Sequence, residues 1–173
     1  MRFVLTLIVL FLTSCTEKMN ITEFKDAEPR FVLEDYFNGQ VKAWGLFHDR
    51  FGNLKRSFKV DIKGTIDNNE LILDEKFLYN DGEEDQRIWK IKILGDNEYS
   101  GTADDVIGEA IGSSSGNALN WKYKLSLKVK DSYVLVDFDD WMFLKDNNIL
   151  MNRAVIKKWG IELGVVSITF LKI

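Results

Sequence analysis

The sequence predicts an all-β protein: an antiparallel up-and-down meander that closes into a barrel, with a short N-terminal helix. Three observations point there. Beyond Gln40, apolar and polar residues alternate with the period of two that a half-buried strand imposes. Clusters of turn-forming residues interrupt this alternation roughly every 13 to 18 residues. Every connection is short, and short connections force antiparallel neighbours, because a parallel pair needs a long crossover. A meander of this length that stayed open would leave two exposed edges, so closure is expected.

The first fourteen residues have the form of a secretory signal: Arg2 as a basic start, an apolar run over residues 3–12 broken only by Thr6, then small Thr13 and Ser14. The run is too short to span a bilayer core of roughly 30 Å, which takes about 20 residues. It ends at Cys15, the only cysteine of the chain. Leu12-Thr13-Ser14-Cys15 resembles the lipobox of bacterial lipoproteins. The resemblance implies diacylglycerylation of the Cys15 thiol, cleavage before it and acylation of the new amine. Two or more acyl chains anchor a protein stably, where one binds only marginally. In that class an aspartate after the cysteine retains the protein at the inner membrane. Thr16 therefore favours the periplasmic face of the outer membrane in a Gram-negative cell.

Residues 1–14 thus read as a signal peptide, residues 15–29 as a lipidated cysteine with a flexible tether, and residues 30–173 as one barrel domain. The tether is polar, with little periodicity, and stops at the only proline, Pro29. Residues 30–38 form a candidate short helix closed by Gly39. The turn clusters that follow are Phe51-Gly52-Asn53, Asp67-Asn68-Asn69, Asn80-Asp81-Gly82, Gly95-Asp96-Asn97, residues 112–117, Lys130-Asp131-Ser132, residues 145–148 and Gly160. They delimit nine candidate strands, the fifth over residues 99–107, with Ser113-Ser114-Ser115 as a loop tip.

With a single cysteine no intramolecular disulfide forms, so the core holds by packing, for which 12 Phe, 5 Trp and 5 Tyr supply material. The formal charge of −4 is spread along the chain with no basic stripe, which argues against nucleic acid as a partner. Alternation places Leu54, Arg56, Phe58, Val60 and Ile62 on one inward face, and Leu71, Leu73, Glu75, Phe77 and Tyr79 on the next. Arg87, Trp89, Ile91 and Ile93 make a third, and Trp121, Tyr123, Leu125, Leu127 and Val129 a fourth.

Arg56, Glu75 and Arg87 break the apolar rule of these faces and need partners. One reading is a structural ion-pair cluster near a barrel mouth. The other is a guanidinium holding an anionic head group in an apolar cavity, with Arg56, Glu75, Arg87, Trp89 and Tyr123 as the ligand-binding set. Asp140, inward on its strand, is expected to pair with Arg153 in a structural polar network.

The paired carboxylates Asp104-Asp105 and Asp139-Asp140 raise acid–base catalysis or a hard cation, but a calcium-loop spacing is absent. One histidine, His48, cannot build a multi-histidine metal site, and no nucleophile elbow, phosphate loop or dinucleotide fingerprint appears. No catalytic residue, metal site or cofactor is therefore assigned.

Several motifs carry a family resemblance over residues 29–173: Ala43-Trp44-Gly45, Phe77-x-Tyr79-x-Asp81-Gly82-Glu83, Arg87-x-Trp89, Gly101-x-Ala103-x-Asp105-Val106-Ile107-Gly108, Gly116-Asn117-Ala118, Asp139-Asp140-Trp141-Met142 and Asn152-Arg153-Ala154. In combination they resemble the proteobacterial lipoproteins of the domain of unknown function 3833 family. The resemblance implies a lipoprotein of the Gram-negative envelope and transfers no activity or catalytic residue. The likeness to lipocalins is architectural, and fold does not fix function.

Three function classes follow. The first is a non-enzymatic, lipocalin-like lipoprotein, held to membrane lipid through acylated Cys15, that binds a fatty acyl or other small amphiphilic ligand. The second is a structural or interaction lipoprotein with a filled core. The third is an enzyme acting on modified lipids through Asp105 or Asp140. A hollow or a filled barrel interior separates the first from the second.

Overall fold

The computed structural model describes residues 18–95, 97–129 and 132–173. Leu12 to Cys15, with the signal and lipidation site expected there, lie outside the described residues. Ten strands follow one helix: α1 (Leu33–Phe37), β1 (Gly39–Asp49), β2 (Leu54–Asp67), β3 (Glu70–Tyr79), β4 (Glu84–Gly95), β5 (Glu98–Thr102), β6 (Ala110–Ser115), β7 (Ala118–Val129), β8 (Ser132–Leu144), β9 (Ile149–Lys158) and β10 (Ile161–Lys172). Each strand pairs antiparallel with the next, and β1 pairs with β10 from Val41↔Lys172 to Asp49↔Gly164. The sheet is thereby a closed barrel, the all-β up-and-down, lipocalin-like architecture expected from the sequence.

The turn clusters fall where the alternation breaks. Asn68 and Asn69, both at positive φ, make the two-residue hairpin between β2 and β3. Trp159 and Gly160 do the same between β9 and β10.

Two expectations need correction. There are ten strands, not nine, because the stretch read as a fifth strand over residues 99–107 ends at Thr102. Residues 103–109 leave the ladder so that Asp105 can reach Arg87 and Val106 can turn inward against Leu125. The chain then re-enters the sheet as β6. Ser113-Ser114-Ser115, expected at a loop tip, lies in β6, with Ser114 buried. The second correction concerns Leu54, expected inside but 55% exposed. A bulge between Phe47 and His48 shifts the β1–β2 register there and re-aims the end of β2.

The helix is shorter than expected, five residues within 30–38, and it closes one end of the barrel. Phe31, Leu33, Tyr36 and Phe37 are all buried there. Phe37 meets Phe170 edge to face at 5.6 Å, and the Tyr36 hydroxyl donates to the Asn148 carbonyl at 2.8 Å. The chain passes so close to β2 that a Cβ on Gly64 would stand 1.8 Å from the Phe37 carbonyl oxygen. Lys172 Nζ donates to the Asp35 and Asn38 carbonyls at the helix C-terminus, tying the last strand to the plug.

The described part of the expected tether is ordered onto the barrel. Asn20 caps a 3₁₀ turn, Ile21–Phe24, and Glu23 closes the capping box. Phe24 packs against Trp141 and Phe143, the outward side chains of β8, at 5.9 and 5.3 Å between ring centroids. The Phe31 amide donates to the Gly116 carbonyl at 2.7 Å. A Cβ on Gly116 would collide with the Phe24 carbonyl oxygen at 1.7 Å, so glycine is required where this segment crosses the β6–β7 turn.

Candidate functional site

The barrel interior encloses a cavity of about 340 Å³. Its floor is Leu33 and Phe37 of the plug, and its mouth lies among Arg56, Tyr79 and Lys128. Most of the wall is apolar and aromatic, because strand alternation sends every second residue inward. Two wide rings, Trp89 and Trp121, meet edge to face at 5.7 Å, and Tyr123 stacks on Phe138 at 4.9 Å. Room for the Trp121 ring comes from glycines on the neighbouring strands. A Cβ on Gly112 would lie 2.1 Å from that ring, and one on Gly101 2.7 Å.

A polar belt crosses the cavity at mid-height. Glu75 and Arg87 face each other across β3 and β4 at a register pair. Arg87 forks onto Asp105 from the 103–109 loop, with Nε to Oδ1 and Oδ2 at 3.1 and 3.0 Å and Nη2 to Oδ2 at 2.6 Å. Tyr123 of β7, Asp140 of β8 and Asn152 of β9 complete the belt. Asp140 is only 6% exposed, and its Oδ1 has no hydrogen-bond partner.

The electrostatics follow from this geometry. Burial pushes the Glu75 carboxyl up to about 7, with the Arg87 charge pulling it back and Asp105 adding to the rise. Burial likewise raises Asp140 to about 7, against the opposing pull of Tyr123 and Arg87. The Tyr123 phenol is raised well above its ordinary value by burial and by Asp140. Arg87 stays charged: burial opposes its charge, and Glu75, Tyr123 and Asp105 together more than compensate.

The mouth carries a separate cluster. Arg56 Nη2 contacts Asp81 Oδ2 at 3.0 Å and Glu83 Oε2 at 2.5 Å, while its guanidinium lies over the Tyr79 ring, 3.4 Å from the centroid. Asp81 is held below the ordinary carboxylate range, first by the Glu83 amide and then by Arg56.

Arg56, Glu75, Arg87, Trp89 and Tyr123 thus border one cavity. The expected three-member ion cluster is divided, however. Arg56 belongs to the mouth with Asp81 and Glu83, and Arg87 takes Asp105 as partner beside Glu75. The expected Asp140–Arg153 pair does not form. Arg153 registers with Trp141 and points outward, exposed, while Asp140 registers with Ala154 and points in. Adjacent strands place same-face residues in register, and these two occupy opposite faces.

Sequence reasoning missed Asn152 as a site residue, and it raised Asp105 only as a candidate catalytic carboxylate, not as the partner of Arg87. Asn152 was within reach, since Leu150, Ala154 and Ile156 share its inward face. Asp105 was not, because its position depends on a break in the ladder. Among the described residues, no group of three His, Cys, Asp or Glu side chains is placed to hold a metal ion.

Two solved structures share the architecture. A protein of unknown function from the DUF3598 family of Nostoc punctiforme superposes with a TM-score of 0.63 at 11% identity, over 84% of this chain and 51% of that one. This chain therefore spans about half the length of the Nostoc protein. An S-type phycobiliprotein lyase from Guillardia theta superposes with a TM-score of 0.59 at 10% identity, over 83% of this chain and 94% of the lyase. At such identities the likeness is one of fold. No curated protein matches the chain. The family model described as "Protein of unknown function (DUF3833)" matches residues 9–172, nearly the whole length, and the chain belongs to that family.

Proposed function

We propose that the protein is a lipid-anchored binder that takes a long-chain amphiphile into its barrel, with no chemical step of its own. The observation that carries this reading is the cavity: about 340 Å³, walled by apolar and aromatic side chains, with a few polar groups converging at one level. That is the composition of a small-molecule site, and its volume lies at the lower end of the usual range. The rings of β4 and β7 that do meet, Trp89 with Trp121 and Tyr123, leave this space beside them. Asp105 is committed bidentately to Arg87, which removes it as a general base and leaves Asp140 as the one carboxyl of the enzyme reading that faces the cavity unpaired.

The anchor is the second part of the proposal and rests on Leu12 to Cys15 of the sequence. The ordered segment beginning at Asn20 lies on the outer wall beside the plugged end. Only residues 16–19 separate it from Cys15. An acylated Cys15 would therefore hold the plugged end toward the bilayer and turn the mouth away from it.

Mass spectrometry of the full chain, extracted from membranes in mild detergent, tests both parts. The expected result is a covalent acyl adduct that Cys15→Ser abolishes, together with a non-covalent amphiphile released on collisional activation. Bare protein under every mild extraction condition would overturn the binding reading. An unmodified Cys15 would overturn the anchor.

A further inference from the structure

Resting on that reading, the polar belt narrows the class of ligand. Among the described residues, both guanidiniums that border the cavity are already matched by carboxylates: Arg87 by Asp105, and Arg56 by Asp81 and Glu83. Glu75 and Asp140 are additional acids facing the same space. An anionic head group drawn to this level would meet Glu75, Asp105 and Asp140 around a single committed arginine. At this level repulsion would outweigh the one attraction on offer, Lys128 lying at the mouth and away from the belt.

Asp140 supplies the second observation. Its carboxyl is buried, on the cavity wall, and Oδ1 has no donor. A buried acceptor left unpaired is costly, so a ligand that brings an N–H or O–H to it gains an interaction that no side chain satisfies. Tyr123 and Asn152 flank the same carboxyl as hydrogen-bonding neighbours that favour its charged form. Above and below the belt the wall returns to apolar side chains, Phe77 and Phe138 toward the mouth, Ile91 and Trp121 toward the floor. Such walls hold a hydrocarbon chain.

We infer that the belt selects an amphiphile whose polar group is an uncharged or cationic hydrogen-bond donor, such as a long-chain alcohol, amide or amine, and that Asp140 receives it. A free fatty acid is the ligand that this arrangement discriminates against. The same geometry replaces the sequence-based expectation that Arg56 or Arg87 would grip an anionic head.

The test compares dodecanol, dodecylamine and dodecanoate binding to the full chain in detergent, near pH 8 where both carboxyls are ionised. Trp89 and Trp121 border the cavity, so a change in the intensity or wavelength of tryptophan emission reports occupancy. The alcohol and the amine are expected to bind at least about tenfold more tightly than the carboxylate. In Asp140→Asn the preference should shrink to about threefold, the part that Glu75 still supplies, well under the roughly 1.4 kcal/mol that tenfold represents. The comparison within the native chain stands even if that variant fails to fold. Dodecanoate binding as tightly as dodecanol would overturn the selectivity while leaving amphiphile binding intact. Binding of none of the three would overturn both.

Discussion

Burial holds the Glu75 and Asp140 carboxyls at about 7, far above the values the same groups have in an unfolded chain. The unfolded chain gives up these protons near pH 4, whereas the folded barrel keeps them until near pH 7. Between those limits the folded state binds more protons, so these two groups lower stability as pH rises through the window and cost most above it. Glu75→Gln and Asp140→Asn remove the ionisation without changing side-chain volume. Each is expected to raise the thermal midpoint at pH 8 and to raise it much less at pH 5, near the start of that window, with a gain at pH 8 of at most about 4 kcal/mol. Thermal melts at the two pH values check this, and an equal shift at both would mean that the carboxyls are not held neutral by the fold. A barrel that carries two such destabilising acids at its centre has the profile of a site that gives up stability for function.

At the scale of elements, the 3₁₀ turn and the 103–109 loop are the pieces that alternation does not describe, and both converge on the barrel through single side chains. Phe24 covers Trp141 and Phe143 on the outer wall. Phe24→Ala should cost about 1 to 3 kcal/mol and free residues 20–29 from the wall. Faster amide exchange or proteolysis confined to that segment would be the reading. Its ordering was illegible in the sequence because one phenylalanine in a polar stretch has no periodicity, and its partners lie more than a hundred residues away. The hairpin turns were legible because Asn68-Asn69, Asn80-Asp81-Gly82 and Gly160 carry their own local chemistry. The inward faces of β2, β3, β4 and β7 were legible, apart from Leu54 and Val129 at the strand ends, which are exposed, because a period of two needs no tertiary information. Failures fell where tertiary pairing overrides local pattern. Asp105 leaves a strand-like run to meet Arg87, and a bulge at Phe47 turns Leu54 outward. The Asp140–Arg153 expectation failed for a simpler reason: adjacent strands place facing residues in register, and position in sequence alone left that register unset.

For the whole molecule, ring closure between β1 and β10 removes both sheet edges, and α1 closes one end, so the interior opens toward the end that carries Arg56, Tyr79 and Lys128. The resulting cavity has apolar walls, a polar belt at mid-height and a floor of plug residues. The proposed anchor on the plugged side leaves the mouth free to exchange its contents with water, another membrane or a partner. All of this depends on the interior space being the binding site, and a volume-filling substitution tests that most directly. Ala154 is buried on the inward face of β9 and lines the cavity. Ala154→Phe places a ring in that space at a cost of about 1 to 3 kcal/mol in packing, which thermal unfolding would register without loss of the fold. The decisive measurement is the amount of amphiphile bound per chain in this variant and in the native protein. Near-complete loss of bound amphiphile in a folded Ala154→Phe barrel is the predicted result. Unchanged stoichiometry would contradict the account, because the ligand would then lie outside the barrel.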